Sequence, residues 1–254
     1  MAKNYQISSL QRGHIVFASF ISFNGKLLFL DAHLERLVKG ADFLFPKENW
    51  IYNIEKIKQY VDEVFKNSAD FQNINYYFRL TIFDDCFYLE QRVWEITSDT
   101  LKLMYGLKVK TIGLLPSFVK ISNYLESDLE LMRAKFRGFD DIVFFDNQEN
   151  ITETSTSNII VVTAQGLIIS PAPSSIILAG ITGRKLLEKL ESHNFKIKVG
   201  TVSKSDLEQA QEIWLTNSVK GIRFVEQFEK KFFEKKNSLY IKAIEIFGRY
   251  GEQV

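Results

Sequence analysis

Apolar and polar positions recur along this chain with a period of two in some stretches and of 3.6 in others, and the switches predict its elements. Residues 15–30, IVFASFISFNGKLLFL, read as two strands around Asn24-Gly25, because both central positions of a tight hairpin turn need positive φ. Asp31 is placed to cap a helix, DAHLERLVKGADFLF, with an apolar stripe of Leu34, Leu37, Val38, Ala41 and Phe45. His33 and Arg36 share a different face, and Pro46 closes the helix. A second amphipathic helix over Ile54–Lys66 turns Ile54, Ile57, Val61, Val64 and Phe65 inward. Strands follow at Tyr76–Phe83, Phe87–Ile96 and Lys102–Ile112, the first pair turned by Asp84-Asp85. Alternation puts Tyr77, Arg79 and Thr81 on the face away from Phe78, Leu80 and Ile82.

The second half begins with a helix capped by Ser122 or Asn123, with apolar positions Leu125, Leu129, Met132 and Phe136 and a stop at Gly138. Strands are predicted at Asp141–Phe145, Ile151–Thr154, Ile159–Thr163 and Leu167–Ser170. A loop with Pro171 and Pro173 leads to Gly180-Ile181-Thr182 and a helix from about Gly183 to Ser192. Then come a strand over Lys196–Val202, a capping box of Ser205 with Glu208, strands over Glu212–Thr216 and Gly221–Gln227, and a helix from about Phe233 to Phe247. The pattern predicts a mixed α+β protein of two domains, a smaller one over 1–112 and a larger one over 120–254, joined by a loop over 113–119.

Composition narrows the function classes. A formal net charge of +1 gives no general field for nucleic acid or for an anionic membrane. No apolar run reaches transmembrane length, and Met1–Tyr5 lacks the apolar stretch of a secretory leader. The single cysteine, Cys86, forms no intrachain disulfide, and three dispersed histidines predict no metal site. A cytoplasmic protein with a small-molecule partner is expected.

Four places carry candidate chemistry. Lys120 lies among Phe118, Val119 and Ile121, with no acidic residue before Glu126. A lysine in apolar surroundings loses hydration and shifts toward the neutral amine that attacks carbonyls; the plainer reading is a lysine whose ammonium reaches water past an apolar stem. Gly180-Ile181-Thr182 opens a helix whose N–H groups suit a phosphate. Glu153 sits at a strand end before small hydroxyl residues, and Arg36 is a candidate phosphate partner; read alone, the commoner reading of each is a surface charge.

Order and spacing are more specific. His33-Leu34-Glu35-Arg36-Leu37 fits H-x-x-R-L, and Lys120-Ile121-Ser122-Asn123 fits K-x-x-N. Ile151-Thr152-Glu153 with Asn158, Pro171 through Thr182, and Thr216-Asn217-Ser218 follow in register. Together, from about Phe17 to Val225, these resemble the class IV aminotransferases, the fold-type IV pyridoxal-phosphate enzymes. The resemblance implies a smaller α+β domain, a larger barrel-like domain, a homodimer and pyridoxal 5'-phosphate as cofactor. It implies that Lys120 is the catalytic residue that bonds the cofactor as a Schiff base and moves the substrate Cα proton. Glu153 would face the pyridine nitrogen. Arg36, Gly180, Ile181, Thr182 and Ser218 would hold the phosphate, with Tyr124 near the phenolic oxygen. Arg79, Asn217 and Val219 would meet the substrate, Arg79 gripping a carboxylate with two donors. The K-x-x-N spacing and Asn217 before a small residue resemble the 4-amino-4-deoxychorismate lyases of that family, which release 4-aminobenzoate and pyruvate toward folate. Tyr77-Phe78-Arg79 resembles the branched-chain aminotransferases, the alternative, and a homologue that binds cofactor without turnover is a third reading. One segment departs from the family: G-D-G-x-F is here Gly13-His14-Ile15-Val16-Phe17. It borders the substrate side, so the departure bears on substrate choice.

Overall fold

A computed structural model describes residues 12–45, 54–83, 86–109 and 114–254; Pro46 and the Asp84-Asp85 turn lie outside them. The chain divides into two compact units, Met1–Ile96 with Phe118–Asn123, and Thr97–Ser117 with Tyr124–Val254. This division differs from the expected 1–112, 113–119 and 120–254, because the strand from Thr100 pairs within the second unit and the Lys120 segment packs within the first.

In the first unit a four-stranded antiparallel sheet runs β2 (Lys26–Leu27), β1 (Val16–Phe23), β3 (Tyr76–Phe83), β4 (Cys86–Val93). The Asn24-Gly25 turn has φ of 48° and 74°, as the hairpin signal requires. Helix α1 spans Leu30–Leu44 and α2 spans Ile54–Lys66, with Ile57, Val61 and Phe65 buried. Asp31 does not cap α1. The N-cap is Phe29, in left-handed conformation with no side-chain cap, and Asp31 instead reaches Lys58 on α2 at 2.5 Å. Phe20 stacks on Phe78 and also meets His33, so the even-numbered positions of β1 face the helices. The register pairs Phe17 with Thr81, Ser19 with Arg79 and Ile21 with Tyr77, so these six share the opposite face.

His33 is not on a polar face with Arg36: it is fully buried in the α1 stripe beside Leu30, Leu34 and Leu37. Among the described residues neither ring nitrogen has a hydrogen-bond partner. Burial first, then the charges of Arg36 and Lys120, hold its pKa well below the ordinary value of 6.5.

In the second unit nine strands form one sheet in the order β10 (Ile197–Gly200), β9 (Ile168–Pro171), β8 (Asn158–Val162), β11 (Glu212–Asn217), β12 (Gly221–Phe228), β5 (Thr100–Val109), β6 (Asp141–Phe145), β7 (Ile151–Thr154), with β13 (Lys231–Phe232) on β12. The β12–β5, β5–β6 and β9–β10 pairs are parallel and the others antiparallel. β7 and β8 stand far apart in that order, yet Thr154 N–H donates to Ser157 O across a tight turn joining them, so the sheet must curl round on itself. A core including Leu103, Val143, Ile159, Ile213, Leu215 and Val225 packs within this unit.

Four more helices complete the described residues: α3 (Leu125–Phe136), α4 (Ile181–Ser192), α5 (Lys204–Glu208) and α6 (Leu239–Phe247). The capping box of α5 is Ser203 with Asp206, not Ser205 with Glu208. The last helix begins later than Phe233, because the buried Glu212 carboxylate accepts the N–H groups of Leu239 and Tyr240 and fixes its start. Tyr124, not Ser122 or Asn123, is the N-cap of α3, and it caps through no side chain. The α3 positions Leu125, Leu129, Met132 and Phe136 face outward, while Glu130 and Ala134 are buried. Glu130 is held there by the Leu107 N–H at 2.8 Å and by Arg133. No helix of the described residues is long and apolar enough to cross a membrane.

The buried His33 generates a pH-dependent stability. In the unfolded chain the imidazole takes up a proton near pH 6.5, whereas the buried ring resists it, so stability is full above that pH and falls as pH drops below it. Urea unfolding between pH 7.5 and 5.5 should show a slope of up to about 1.4 kcal/mol per pH unit that His33→Leu removes. Equal slopes in both proteins would contradict this.

Candidate functional site

The predicted residues fall into two groups, one on each unit. In the first unit the Lys120 segment runs beside β1: Phe17 N–H donates to Lys120 O at 3.0 Å, and Ile121 makes an antiparallel bridge with Val16. Its other side is packed by α1, with Phe43 edge-on to Phe118 and the Lys39 ammonium 4.3 Å from that ring's centroid. Val119 is buried while Lys120 is half-buried, so the backbone is fixed and the amine is not sealed in. The Phe17 ring is the platform here. Lys120 Nζ lies 4.9 Å and Arg79 Cζ 3.8 Å from its centroid, within range of cation–π attraction. Arg79 Nη2 also donates to Ser122 Oγ at 2.9 Å, two residues beyond the lysine. Beside it, Ser19 Oγ and Tyr77 OH are 3.2 Å apart. Arg36, on α1 three residues after His33, is half-buried, and its charge and that of Lys120 both act on the same buried imidazole.

The sequence reading named Lys120, Arg36 and Arg79 but missed Phe17, Ser19 and Ser122. The signal was present: period-two alternation on β1 and β3, with Ser19 opposite Arg79, lists one face of the sheet.

In the second unit Glu153 stands at the end of β7. Its Oε2 accepts the Leu178 N–H at 2.9 Å, while Asn158 Nδ2 donates to Leu178 O, also at 2.9 Å. The loop before α4 is thus tied at one residue to both β7 and β8. The turn after Glu153 is anchored from beneath by the buried Asp141, which accepts bonds from Thr154 Oγ1, Ser155 N–H and Ser155 Oγ.

Helix α4 starts at Ile181, two residues earlier than predicted, so Ile181, Thr182 and Gly183 form its first turn. Its N-cap, Gly180, offers no side-chain cap, and first-turn N–H groups have no partner within the helix. Both glycines are dictated by packing. A Cβ on Gly180 would lie 1.8 Å from Asn158 Oδ1, and one on Gly183 2.8 Å from Thr216 Oγ1. Thr182 Oγ1 and Ser218 Oγ are 2.9 Å apart, so two hydroxyls converge at this positive helix end. An anionic group suits that end, and Glu153, fixed by Leu178, suits a protonated ring nitrogen.

The other predicted residues do different work. Asn217 spends its side chain on its own loop, with Nδ2 donating to Thr156 O and Oδ1 accepting the N–H groups of Val219 and Lys220. Val219 is thereby held in place. Tyr124 begins α3, where its carbonyl accepts the Asp128 N–H. A cavity of about 380 Å³, lined by Leu178, Gly180, Gly183, Leu187 and Thr216 among others, opens beside the helix start, but Glu153, Thr182 and Ser218 do not line it.

A model of the family described as amino-transferase class IV matches residues 16–228. The branched-chain amino acid aminotransferase 1 of Humulus lupulus is 36% identical over 112 residues, covering 42% of this chain and 28% of that protein. The aminodeoxychorismate lyase of Vibrio harveyi is 29% identical over 103 residues, covering 41% of this chain and 38% of that one. The match to these curated relatives therefore spans well under half of their length. A crystal structure of a Brucella abortus aminotransferase bound to PLP superposes with a TM-score of 0.86 at 20% identity, covering 96% of this chain and 91% of that one. With the family model spanning β1 to the end of β12, the chain belongs to the class IV aminotransferases.

Proposed function

We propose that this protein is a pyridoxal-phosphate enzyme that acts on the Cα–H bond of a carboxylate-bearing amino substrate. The observation that carries the reading is the start of α4: among the described residues no side chain caps it, two glycines press it against Asn158 and Thr216, and the hydroxyls of Thr182 and Ser218 meet there. These features fit a phosphate dianion. The family resemblance assigns Arg36 to the phosphate as well.

When bound, the cofactor supplies an electron sink for the carbon that loses its proton. Glu153 would face the pyridine nitrogen and favour its protonated form, and the Leu178 N–H holds that carboxylate in place. Lys120 would hold the cofactor through its Nζ and would serve as the group that takes and returns the Cα proton. The aromatic face of Phe17 and the fixed Phe17–Lys120 backbone bond keep its stem in one direction. Arg79, steadied by Ser122, takes the substrate carboxylate. Asn217 acts indirectly, by shaping the loop that presents Ser218 and Val219. The working protein is a homodimer.

For the reaction itself we favour the 4-amino-4-deoxychorismate lyase reading, on the spacing from Lys120 to Asn123. Amino transfer to a 2-oxo acid is the second reading, favoured by the 36% identity to a branched-chain aminotransferase.

Protein loaded with pyridoxal phosphate should be yellow, borohydride should fix the label on the peptide that holds Lys120, and Lys120→Ala should abolish both. A colourless protein that takes up no cofactor would sink the reading. Pyruvate release from aminodeoxychorismate, followed beside amino transfer to 2-oxoglutarate, separates the two reactions. Transfer without pyruvate would end the lyase assignment.

A further inference from the structure

Glu153 and Asn158 stand at the two ends of a tight turn over residues 154–157, and both hold Leu178, one by its N–H and the other by its carbonyl. The shape of the turn therefore sets the aim of the Glu153 carboxylate and the course of the loop that leads to α4. Each residue of the turn is tied down. Ser155 donates to Asp141 Oδ1 through its N–H at 3.2 Å and its hydroxyl at 2.5 Å, and Thr154 Oγ1 lies 3.2 Å from Asp141 Oδ2. Thr156 is held by Asn217 at its carbonyl and by Lys220 at its hydroxyl. Ser157 N–H donates to Thr154 Oγ1 at 3.1 Å. Asp141 is the centre of this network: 1% exposed, it also accepts the Ile142 N–H.

A carboxylate so far from water keeps its charge, and with it its full power to accept, beside a cation. Arg223 on β12 supplies one. It lies opposite Leu215 of the core in the β11–β12 register, so the two side chains share a face, and Arg223 is buried there with its Nη2 3.8 Å from Asp141 Oδ2. Among the described residues it is the cation within ion-pair distance of Asp141. Lys220 and Arg249 add positive charge around it and Asp140 negative charge. The Lys220 ammonium, however, is engaged by Thr156, and the Arg249 guanidinium by the carbonyls of Thr97 and Ser98. Arg223 Nε and Nη2 have no hydrogen-bond partner among the described residues. With those donors unused, the guanidinium acts on Asp141 through its charge rather than through a fork of hydrogen bonds. We propose that Arg223 is a positioning residue for the cofactor: its charge keeps Asp141 an acceptor, Asp141 fixes the turn, and the turn aims Glu153 at the pyridine nitrogen. This rests on the cofactor reading proposed above and extends it to a residue that acts through others.

The test uses full-length protein loaded with pyridoxal phosphate that is isotopically labelled at the ring nitrogen. The NMR shift of that nitrogen, followed over a pH series, gives the pH at which it loses its proton. Arg223→Met should lower this pH by about one unit or more, because a misdirected Glu153 stabilises the protonated ring less. Arg223→Lys, which keeps the charge and loses the fork, should leave it near the wild-type value. Urea unfolding of the same proteins separates a structural role, which would lower stability without moving the ring nitrogen. Should Arg223→Met fail to fold, Ser155→Ala decides: it cuts the turn's hydroxyl bond to Asp141 while leaving the ion pair, and should lower the same pH. A ring nitrogen that titrates as in wild type in Arg223→Met, or in Ser155→Ala where that variant decides, would overturn the positioning role. A folded Arg223→Lys that behaves like Arg223→Met would overturn the claim that charge is what Arg223 supplies. A wild type that takes up no cofactor would overturn the cofactor reading itself, a failure seen before any variant is measured.

Discussion

The close approach of helix α4 to strands β8 and β11 governs the chemistry of the second unit. Gly180 leaves room for the Asn158 amide, which in turn holds the Leu178 carbonyl, and the Leu178 N–H holds Glu153. One side chain thus sets both the seat of the helix and, through a single loop residue, the direction of the carboxylate. The contrast with neighbouring helices shows what has been left open. Ser203 and Asp206 close the start of α5, and Glu212 reaches across to close the start of α6. Among the described residues no side chain is hydrogen-bonded in this way at the start of α4, whose N-cap is a glycine. A helix end that keeps its N–H groups and adds two hydroxyls suits an anion supplied from outside the chain, the reading proposed above.

The first unit follows another logic. Its sheet has one face covered by α1 and α2 and one face of Phe17, Ser19, Tyr77 and Arg79. The Lys120 segment is stitched to the edge of that face by a backbone bond and a bridge, which fixes the lysine relative to Arg79 through the Phe17 ring they share. On the buried face of α1, burial and then the charges of Arg36 and Lys120 hold His33 toward its neutral form, at a cost in stability that appears in acid.

Much of this was legible in the chain. The limits of α2, β3, β6 and β7 match the periodicity reading residue for residue, because their apolar patterns are strong and local. The order of the motifs gave the family. Caps were misread wherever a distant partner decided them. Asp31 is spent on Lys58, and the last helix begins where Glu212 reaches it. The stripe of α3 has a perfect helical period, but periodicity tells which side is apolar and not which way it faces; the buried side is built instead from Ala134 and a glutamate paired with a backbone N–H. His33 looked polar because its partners in space, Phe20 above all, lie on another element. Asn217 looked like a substrate ligand, and only the bonds to Thr156, Val219 and Lys220 show that its amide is already engaged.

The central claim, that the start of α4 is an anion seat, is tested most directly by comparing pyridoxal 5'-phosphate with pyridoxal as ligands for cofactor-free protein, with Lys120 intact throughout. The account predicts that the phosphate ester binds roughly a hundredfold or more tighter, and that Thr182→Ala with Ser218→Ala cuts this ratio by about tenfold or more, since each hydroxyl contributes a bond to a charged group. Equal affinity for the two ligands, or a ratio indifferent to both hydroxyls, would contradict it.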